Sequence, residues 1–466
     1  MSILGVSAFH HDSAAALISN HKILGASHEE RFSRIKYDKR WPQHTIQWLQ
    51  SISDDINIVA FYDRDNKKDS LQLIRRQFPK AEVAYVDHHE SHGMSSILMT
   101  DWEKCAVMVV DTVGGKFSTS LGVFEKGKFT WLKRFRYPNS LGLFYSAATK
   151  FLGLRPLHDE SQVMAAAGFG NPKWADLIKK NFLDIKDDSY RLKVDLQKGL
   201  GTLGLDWDVA SSVQYVTEQV LINLATWLQK ETGLINLAYS GGVALNCVAN
   251  TEIYKNAGFK NIAIQPAAGD AGCALGAAAL IERPTNFTPY IGYNAIPHKS
   301  VDEIVTKLLN NEIIPVINGR AEFGPRALGN RSYLAIPNKI NSIRLNKLKK
   351  RETDFWRPWA PVCLESLAND YFKVYNKNYN QNMLFVADTH TELWYPNNLQ
   401  NARLQVVTPE SNMFLSKILY ETTNSGYPIL INTSLNARGK PIINSVSDYR
   451  KEIKNDLLHS CHTLSY

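Results

Sequence analysis

The chain has 466 residues, 44% of them hydrophobic and 21% charged, with a formal charge of +8 from 53 Lys plus Arg against 45 Asp plus Glu. At about 150 residues per domain this length holds two or three compact units, and the composition excludes fibrous, disordered and disulfide-stapled classes. The modest positive excess suits anionic small substrates such as nucleotides, and its one cluster, Lys347, Lys349, Lys350, Arg351 and Arg357, reads equally as a solvated face or as a face turned to phosphates.

The five cysteines, Cys105, Cys247, Cys273, Cys363 and Cys461, are widely separated, without the spacing of a zinc knuckle or a disulfide framework. There is no basic stretch followed by a long apolar run at the N-terminus, nor the roughly 18 consecutive apolar residues of a membrane span. A reduced, cytoplasmic protein without export signal or membrane anchor is expected.

The chain opens with apolar strand candidates over 3–7, 14–18 and 23–27, separated by His10, His11 and Asp12 and followed by Glu29, Glu30 and Arg31. Further strands are predicted over 58–61 and 83–86, the latter leading into Asp87, His88, His89 and His92 at the start of a small-residue helix. A fully apolar strand over 106–110 ends at Asp111, and Gly114 and Gly115 permit a tight turn there. Val213, Val216, Val220, Leu224 and Leu228 repeat at helical spacing, predicting a long helix between Ser211 and Glu231. A strand over 234–238, the turn Ser240, Gly241 and Gly242, and a helix over 244–250 come next. The segment 261–264 with Gly269, Asp270, Ala271 and Gly272 repeats that order, which belongs to α/β proteins whose ligands bind at strand ends. The Pro- and Asn-rich passage 284–297 reads as a linker, and the main domain boundary is placed near residue 300. A helix from Val301 to Leu309 and a strand over 313–317 open the second unit.

Three groups of residues carry chemistry. His88 and His92 stand four apart, on one face if their segment is helical, while Asp111 and Asp270 end separate strand candidates. Together they suit iron, manganese or zinc with water completing the coordination, or are plain surface histidines. Gly241, Gly242 and Asn246 open a helix, where free N–H groups favour phosphate, although Gly-Gly before a helix is also an ordinary packing device. Neither a Walker lysine motif nor a GxGxxG pattern is present. The third group is Arg320, Arg326, Arg331, Lys349, Arg351, Arg403, Asn432, Ser434 and Asn436, a set of guanidinium, ammonium, amide and hydroxyl groups fit for phosphorylated reactants.

The segments HHDSAAAL from His10, EERFSR from Glu29, DHHESH from Asp87, LGLFYSAATKFLG from Leu141, GGVALN from Gly241, GRAEFGPRALGNRS from Gly319 and NTSLNARGKPI from Asn432 resemble the nodulation-type and antibiotic-pathway O-carbamoyltransferases over nearly the whole chain. The resemblance implies an α/β protein with an actin-like ATPase (ASKHA) unit over 1–300 and a shorter YrdC-like α/β unit over 301–466. It implies an enzyme that converts ATP and carbamoyl phosphate to carbamoyladenylate in the second unit and passes it to a metal-containing first unit, for transfer to a small-molecule acceptor. His88, His92, Asp111 and Asp270 match the family's metal ligands, Fe²⁺ being the ion it favours and Mg²⁺ a second candidate. His11 matches the histidine near the acceptor, a candidate base. Lys349, Arg403, Asn432 and Ser434 match the adenylate-forming pocket, with Arg326, Arg331 and Arg351 supporting it. A membrane and nucleic acid are not expected as partners, and a homodimer stays open. Thr112, Gln162, Ala165 and Lys440 depart from the family pattern, leaving open a different group transfer on the same scaffold or nucleotide binding without turnover.

Overall fold

The computed structural model describes residues 1–63, 67–196, 201–296, 300–351, 355–375, 377–389 and 401–452. The first apolar runs form an antiparallel meander, β1 (Ser2–Ser7), β2 (Ala14–Ser19) and β3 (Lys22–His28). Strands β4 (Ile58–Phe61) and β5 (Glu82–Tyr85) add in parallel on the other side of β1, giving the order β3-β2-β1-β4-β5. The same plan recurs. A meander of β6 (Lys104–Gly114), β7 (Phe117–Glu125) and β8 (Lys128–Arg136) is extended in parallel beside β6 by β9 (Asn236–Ser240) and β10 (Asn261–Ala263). Two lobes of this one topology make the actin-like arrangement. Its central strands β1 and β6 read as continuous apolar runs because helices cover both faces of each sheet.

The helices follow from caps and periodicity. Asp87 caps α1 (His88–Ile97), its carboxylate accepting from the N–H groups of His89 and Glu90. Asp206 caps α2 (Trp207–Thr232), which buries Val213, Val216, Val220, Leu224 and Leu228 and ends at Gly233 in a left-handed conformation. The helix expected over 244–250 is instead a short 3₁₀ turn, Gly242–Leu245, followed by α3 (Cys247–Asn256). Asn246 accepts from the Ala249 N–H and so begins the helix rather than continuing it. Helix α4 (Asp270–Ile281) is built almost wholly of small residues and packs between β1 and α1. A Cβ on Gly5 would stand 1.8 Å from the Ala274 carbonyl oxygen, and one on Gly276 would stand 1.9 Å from that of Ser91.

The passage 284–297 is not a bare linker, since β11 (Asn294–Ala295) pairs with β13 (Gly319–Arg320). Beyond it α5 (Val301–Leu309) and β12 (Ile314–Ile317) lead into a five-stranded mixed sheet completed by β14 (Arg331–Ala335), β15 (Ala360–Leu364), β16 (Gln405–Val407) and β17 (Ile429–Ser434), in the order β12-β14-β17-β15-β16. One face packs on α5 and α7 (Met413–Asn424) through Ile304, Leu308, Leu415 and Leu419. The other buries Tyr333, Leu345, from α6 (Lys339–Leu348), and Trp359. Cys105, Cys247, Cys273 and Cys363 are buried and unpaired, while Cys461 lies outside the described residues. Among the described residues no helix is long and apolar enough to cross a membrane.

Candidate active site and metal centre

The first cluster lies where the lobes meet. The Asp87 cap places His88 and His92 one turn apart at the start of α1. Asp111 stands where the register of β6 against β7 breaks, between Val110 and Gly114, so its carboxylate leaves the ladder. Asp270 opens α4. The four side chains converge: His88 Nε2 lies 3.7 Å from Asp111 Oδ2 and 3.5 Å from Asp270 Oδ1, and His92 Nε2 lies 3.7 and 3.4 Å from the same atoms.

These separations are longer than good hydrogen bonds and close to the spacing of ligands that each stand about 2.1 Å from a common ion. All four ring nitrogens of His88 and His92 are buried without a hydrogen-bond partner. Buried imidazoles in that state are costly unless something else takes the lone pair. The donor set, two neutral nitrogens and two carboxylate oxygens, therefore fits a divalent transition metal. Burial alone would lower the His92 imidazole and raise the Asp270 carboxyl. Facing Cys273 and the two carboxylates, His92 is instead held well above its ordinary range, and the two histidines hold Asp270 well below its own. Cys273, one turn after Asp270, places its sulfur within 4.8 Å of the ligand atoms of His88, His92 and Asp270, and burial pushes its thiol up to about 12.

Gly241 and Gly242 belong to this cluster. Gly241 has φ of 95° and passes so close to β6 that a Cβ would stand 2.1 Å from the Val110 carbonyl oxygen. The Gly242 N–H donates to Asp111 Oδ1 at 3.2 Å and orients it.

The second site is a cavity of about 210 Å³ lined by both N-terminal lobes and the C-terminal unit. Lys349 forms part of its wall, and its ammonium donates to Ser434 Oγ at 3.2 Å and to Asn436 Oδ1 at 3.0 Å. Arg326, Arg351, Arg357 and Arg403 face the same space. Arg351 lies 4.3 Å above the Trp359 ring and donates to the Arg357 carbonyl oxygen. Burial and the neighbouring Arg403 and Arg357 push the Arg326 guanidinium down to about 9; burial and Arg357 lower that of Arg403. Arg326 Nε and Arg403 Nε are both without a hydrogen-bond partner. Cations crowded in this way form a site for a polyanion.

Residues 2–75 and 66–279 match the family model for the carbamoyltransferase N-terminus, and residues 305–460 match that for the carbamoyltransferase C-terminus. The chain belongs to the carbamoyltransferase family. Nodulation protein NolO of Bradyrhizobium diazoefficiens is 31% identical over 78% of this chain and 75% of its own length. The 3'-hydroxymethylcephem-O-carbamoyltransferase of Amycolatopsis lactamdurans is 29% identical over 94% of both chains. Among solved structures, full-length HypF in its phosphate- and nucleotide-bound form matches with a TM-score of 0.43 at 16% identity, over 60% of this chain and 55% of that one.

In this carbamoyltransferase His11 lies beside the cavity and within the electrostatic reach of Asp270. Its Nδ1 is 2.9 Å from Asp12 Oδ2, its Nε2 is buried without a partner, and its ring lies 4.8 Å from Tyr37 and 5.8 Å from His158, both of which line the cavity. Burial lowers the His11 imidazole, but Asp12 outweighs it and raises it to about 9. With that charge His11 is an acid or an electrostatic anchor at neutral pH, and it becomes a base only as pH climbs toward that value.

The structure thus gathers His88, His92, Asp111 and Asp270 in one place and Lys349, Arg326, Arg351, Arg403, Asn432 and Ser434 in another. It does not bring three of the expected residues to either. Arg320 donates to the carbonyl oxygens of Leu24, Ile291 and Gly292, away from the cavity wall. The Arg331 side chain is fully buried, and its guanidinium donates to the carbonyl oxygens of Tyr293, Asn318, Gly319, Asn330 and Asn444, so it braces loops and has no donor to spare for a phosphate. Asn246 is spent as the α3 cap and in a mutual amide pair with Gln214. Three site residues escaped sequence reasoning: Cys273, Tyr37 and His158. The helical i, i+3 spacing from Asp270 could have flagged Cys273; Tyr37 and His158 reach the cavity from loops far apart in sequence.

Proposed function

We propose that this carbamoyltransferase is ATP-dependent and forms carbamoyladenylate in the cationic cavity, then transfers the carbamoyl group beside the His/Asp cluster to a hydroxyl of a small-molecule acceptor. The observation that carries the reading is the gathering of Arg326, Lys349, Arg351, Arg357 and Arg403 around one cavity, with Arg326 Nε and Arg403 Nε buried without a hydrogen-bond partner. Carbamoyl phosphate is hydrolysed to carbamate and phosphate. The carbamate oxygen then attacks the α-phosphorus of ATP and pyrophosphate leaves, so one water is consumed overall. The guanidiniums spread over the cavity wall would hold the phosphates and stabilise the charge gathering on them, each well-aimed donor contributing on the order of 3 kcal/mol. Lys349 holds Ser434 and Asn436 in place while keeping its own charge at the wall.

His88, His92, Asp111 and Asp270 would hold a divalent metal, Fe²⁺ being the ion that the family resemblance favours, and it would supply Lewis-acid polarisation where the carbamoyl group is handed over. His11 would anchor the acceptor by its charge at neutral pH and take up the acceptor's proton only as pH rises toward about 9. The division follows the chain: residues 1–300 carry out transfer, and residues 301–466, a YrdC-like unit, form the adenylate. The relative that acts on a hydroxymethylcephem supports a hydroxyl of a small molecule as acceptor.

The test is pyrophosphate release by purified protein given ATP, carbamoyl phosphate and divalent metal. Wild type should release it, Arg403→Ala should not, and His92→Ala should release pyrophosphate while failing to carbamoylate an acceptor. No pyrophosphate above background with any of several divalent metals would sink the proposal.

A further inference from the structure

Resting on that reading, the transfer step still needs a base at neutral pH. An acceptor hydroxyl must lose its proton as it attacks the carbamoyl carbon, and His11 does not serve there. Although burial opposes it, Asp12, helped by Asp270 and the Leu157 carbonyl, keeps the His11 ring charged. A charged imidazole has no lone pair to offer. The ring beside it differs. His158 lies 5.8 Å from His11 between ring centroids and lines the cavity, and its Nδ1 is buried without a hydrogen-bond partner.

The segment that carries His158 is held from several sides. Leu157 adopts φ of 64°, the left-handed region that a leucine enters only where its surroundings fix it, and its N–H donates to the Glu160 carboxylate. Arg155 closes the turn by donating to Asp159 through Nε at 2.9 Å and Nη2 at 3.2 Å. From the first lobe, Tyr37 donates its hydroxyl to the His158 carbonyl oxygen at 3.1 Å and sets its ring 4.4 Å from the imidazole. These contacts fix the backbone and the ring without using Nδ1.

The titratable groups around this ring are His11, Asp12 and Tyr37 from the first lobe and Arg155, Asp159 and Glu160 from its own segment. Burial, then His11 and Arg155, lower the His158 imidazole from its ordinary 6.5, outweighing Asp159 and Asp12. It is therefore neutral where His11 is charged. The two rings divide the needs of one hydroxyl: the unpartnered Nε2–H of His11 suits its oxygen, and a lone pair on His158 suits its proton.

We propose that His158 is the base of the transfer step, its Nδ1 taking the proton of the acceptor hydroxyl while His11 steadies the oxygen. The hydroxyl oxygen forms its bond to the carbamoyl carbon, and the bond from that carbon to the phosphate oxygen breaks. AMP leaves with the electron pair, and the proton on His158 passes to solvent. A neutral imidazole is suited to that task near neutral pH.

Each turnover releases pyrophosphate when the adenylate forms and AMP when it is consumed. Both are followed for protein given ATP, carbamoyl phosphate and divalent metal, with water and glycerol as the hydroxyl acceptors. His158→Gln should slow AMP release at pH 7, relative to first-turnover pyrophosphate release, by roughly 100-fold or more, the range for loss of a general base. Imidazole added to His158→Ala should restore part of the lost rate, which a merely structural role would not allow. Wild-type AMP release should fall as pH drops through the His158 value, below 6.5, and fall again as His11 loses its proton near 9. His158→Gln should lose the acidic limb alone. Tyr37→Phe unties the segment but keeps the base, so it should lower the rate by less and retain that limb, and the reading does not hang on one variant folding. AMP release by His158→Gln equal to that of wild type would overturn this proposal alone, as would an acidic limb that survives the substitution. Wild type that releases no pyrophosphate would overturn the functional reading together with it.

Discussion

The small-residue helix α4 predicts a strong effect from a single methyl group. Gly276 faces α1, and a Cβ there would stand 1.9 Å from the Ser91 carbonyl oxygen, whereas real Cβ contacts essentially never fall under 3.0 Å. Gly276→Ala therefore needs the two helix backbones to part by about 1 Å. Both contribute to the His/Asp cluster, α1 through His88 and His92 and α4 through Asp270, across gaps of 3.4 and 3.5 Å. A metal site tolerates only about 0.2 Å in its ligand distances, so the substitution exceeds that tolerance several-fold. We expect metal affinity to fall at least about 10-fold, in line with changes that misplace ligands, and stability to fall by about 1–3 kcal/mol from overpacking. Metal content of the purified protein and a competition titration against a chelator read the first, and urea denaturation of the metal-free protein reads the second. Gly276→Ala with wild-type metal content and affinity would refute the claim that α1 and α4 must stay in backbone contact for the cluster to form.

Two further predictions rest on groups that the sequence made look alike or ambiguous. Arg331→Met should cost more than about 4 kcal/mol, because it leaves buried the carbonyl oxygens of five residues that the guanidinium now satisfies; denaturant unfolding and soluble yield check it, and the folded fraction should bind ATP as wild type does. In metal-free protein the His11 imidazole should titrate near 9 by NMR and Asp12→Asn should bring the midpoint down, since burial then acts without its counter-charge. His11 is raised above its ordinary 6.5, so its contribution to stability is complete below that value and is lost as pH rises through about 9, while the lowered Asp12 carboxyl contributes above 3.8 and is lost as pH falls. The stability advantage of wild type over Asp12→Asn should thus be greatest in the mildly acidic range and vanish above about 9, and an advantage that grows across that interval would contradict the pairing.

Legibility of the fold in the sequence followed its physical cause. The central strands β1 and β6 could be read because burial on two faces forces continuous apolar runs, and α2 because its buried stripe repeats at helical spacing, whereas β7, interrupted by Ser118, Thr119 and Ser120, and the half-exposed β8 were not. The pairing of β11 with β13 was hidden, since two-residue strands leave no periodic signal. Asn246 does open a helix as the sequence suggested, but the run 244–250 breaks at it, because a cap and an interior residue differ in backbone conformation, which composition does not record. Arg326 and Arg331 stand five apart in one glycine-rich segment, yet one faces the cavity and the other is consumed by loop carbonyls. Only the path of the backbone separates them. Asn432 shows the same limit at finer grain: its residue type suggested a ligand, but which of its two polar atoms is left over depends on Gln405, on another strand, and on the Leu328 carbonyl.

The placement of the C-terminal unit bears on why the two sites share one chain. The metal-type cluster draws His88, His92 and Asp270 from helices packed on each other beside the first lobe and Asp111 from a strand of the second, so its geometry depends on the angle between lobes. The C-terminal unit is tied to both. Arg31 donates to the Gly324 carbonyl oxygen and Arg34 to those of Pro441 and Ile442 from the first lobe. From the second, Asn250 donates to the Leu384 carbonyl oxygen and Thr251 accepts from the Val386 N–H. A unit held on both sides works as a strap across the lobes, and it is this strap whose wall forms the cationic cavity. The segment that supplies Arg31 and Arg34 also supplies Tyr37, which stacks near His11 and lines the cavity. Attachment there sets the cavity, His11 and the metal-type cluster in one relation, which is what the proposed carbamoyladenylate would require if it is to meet its acceptor before water does.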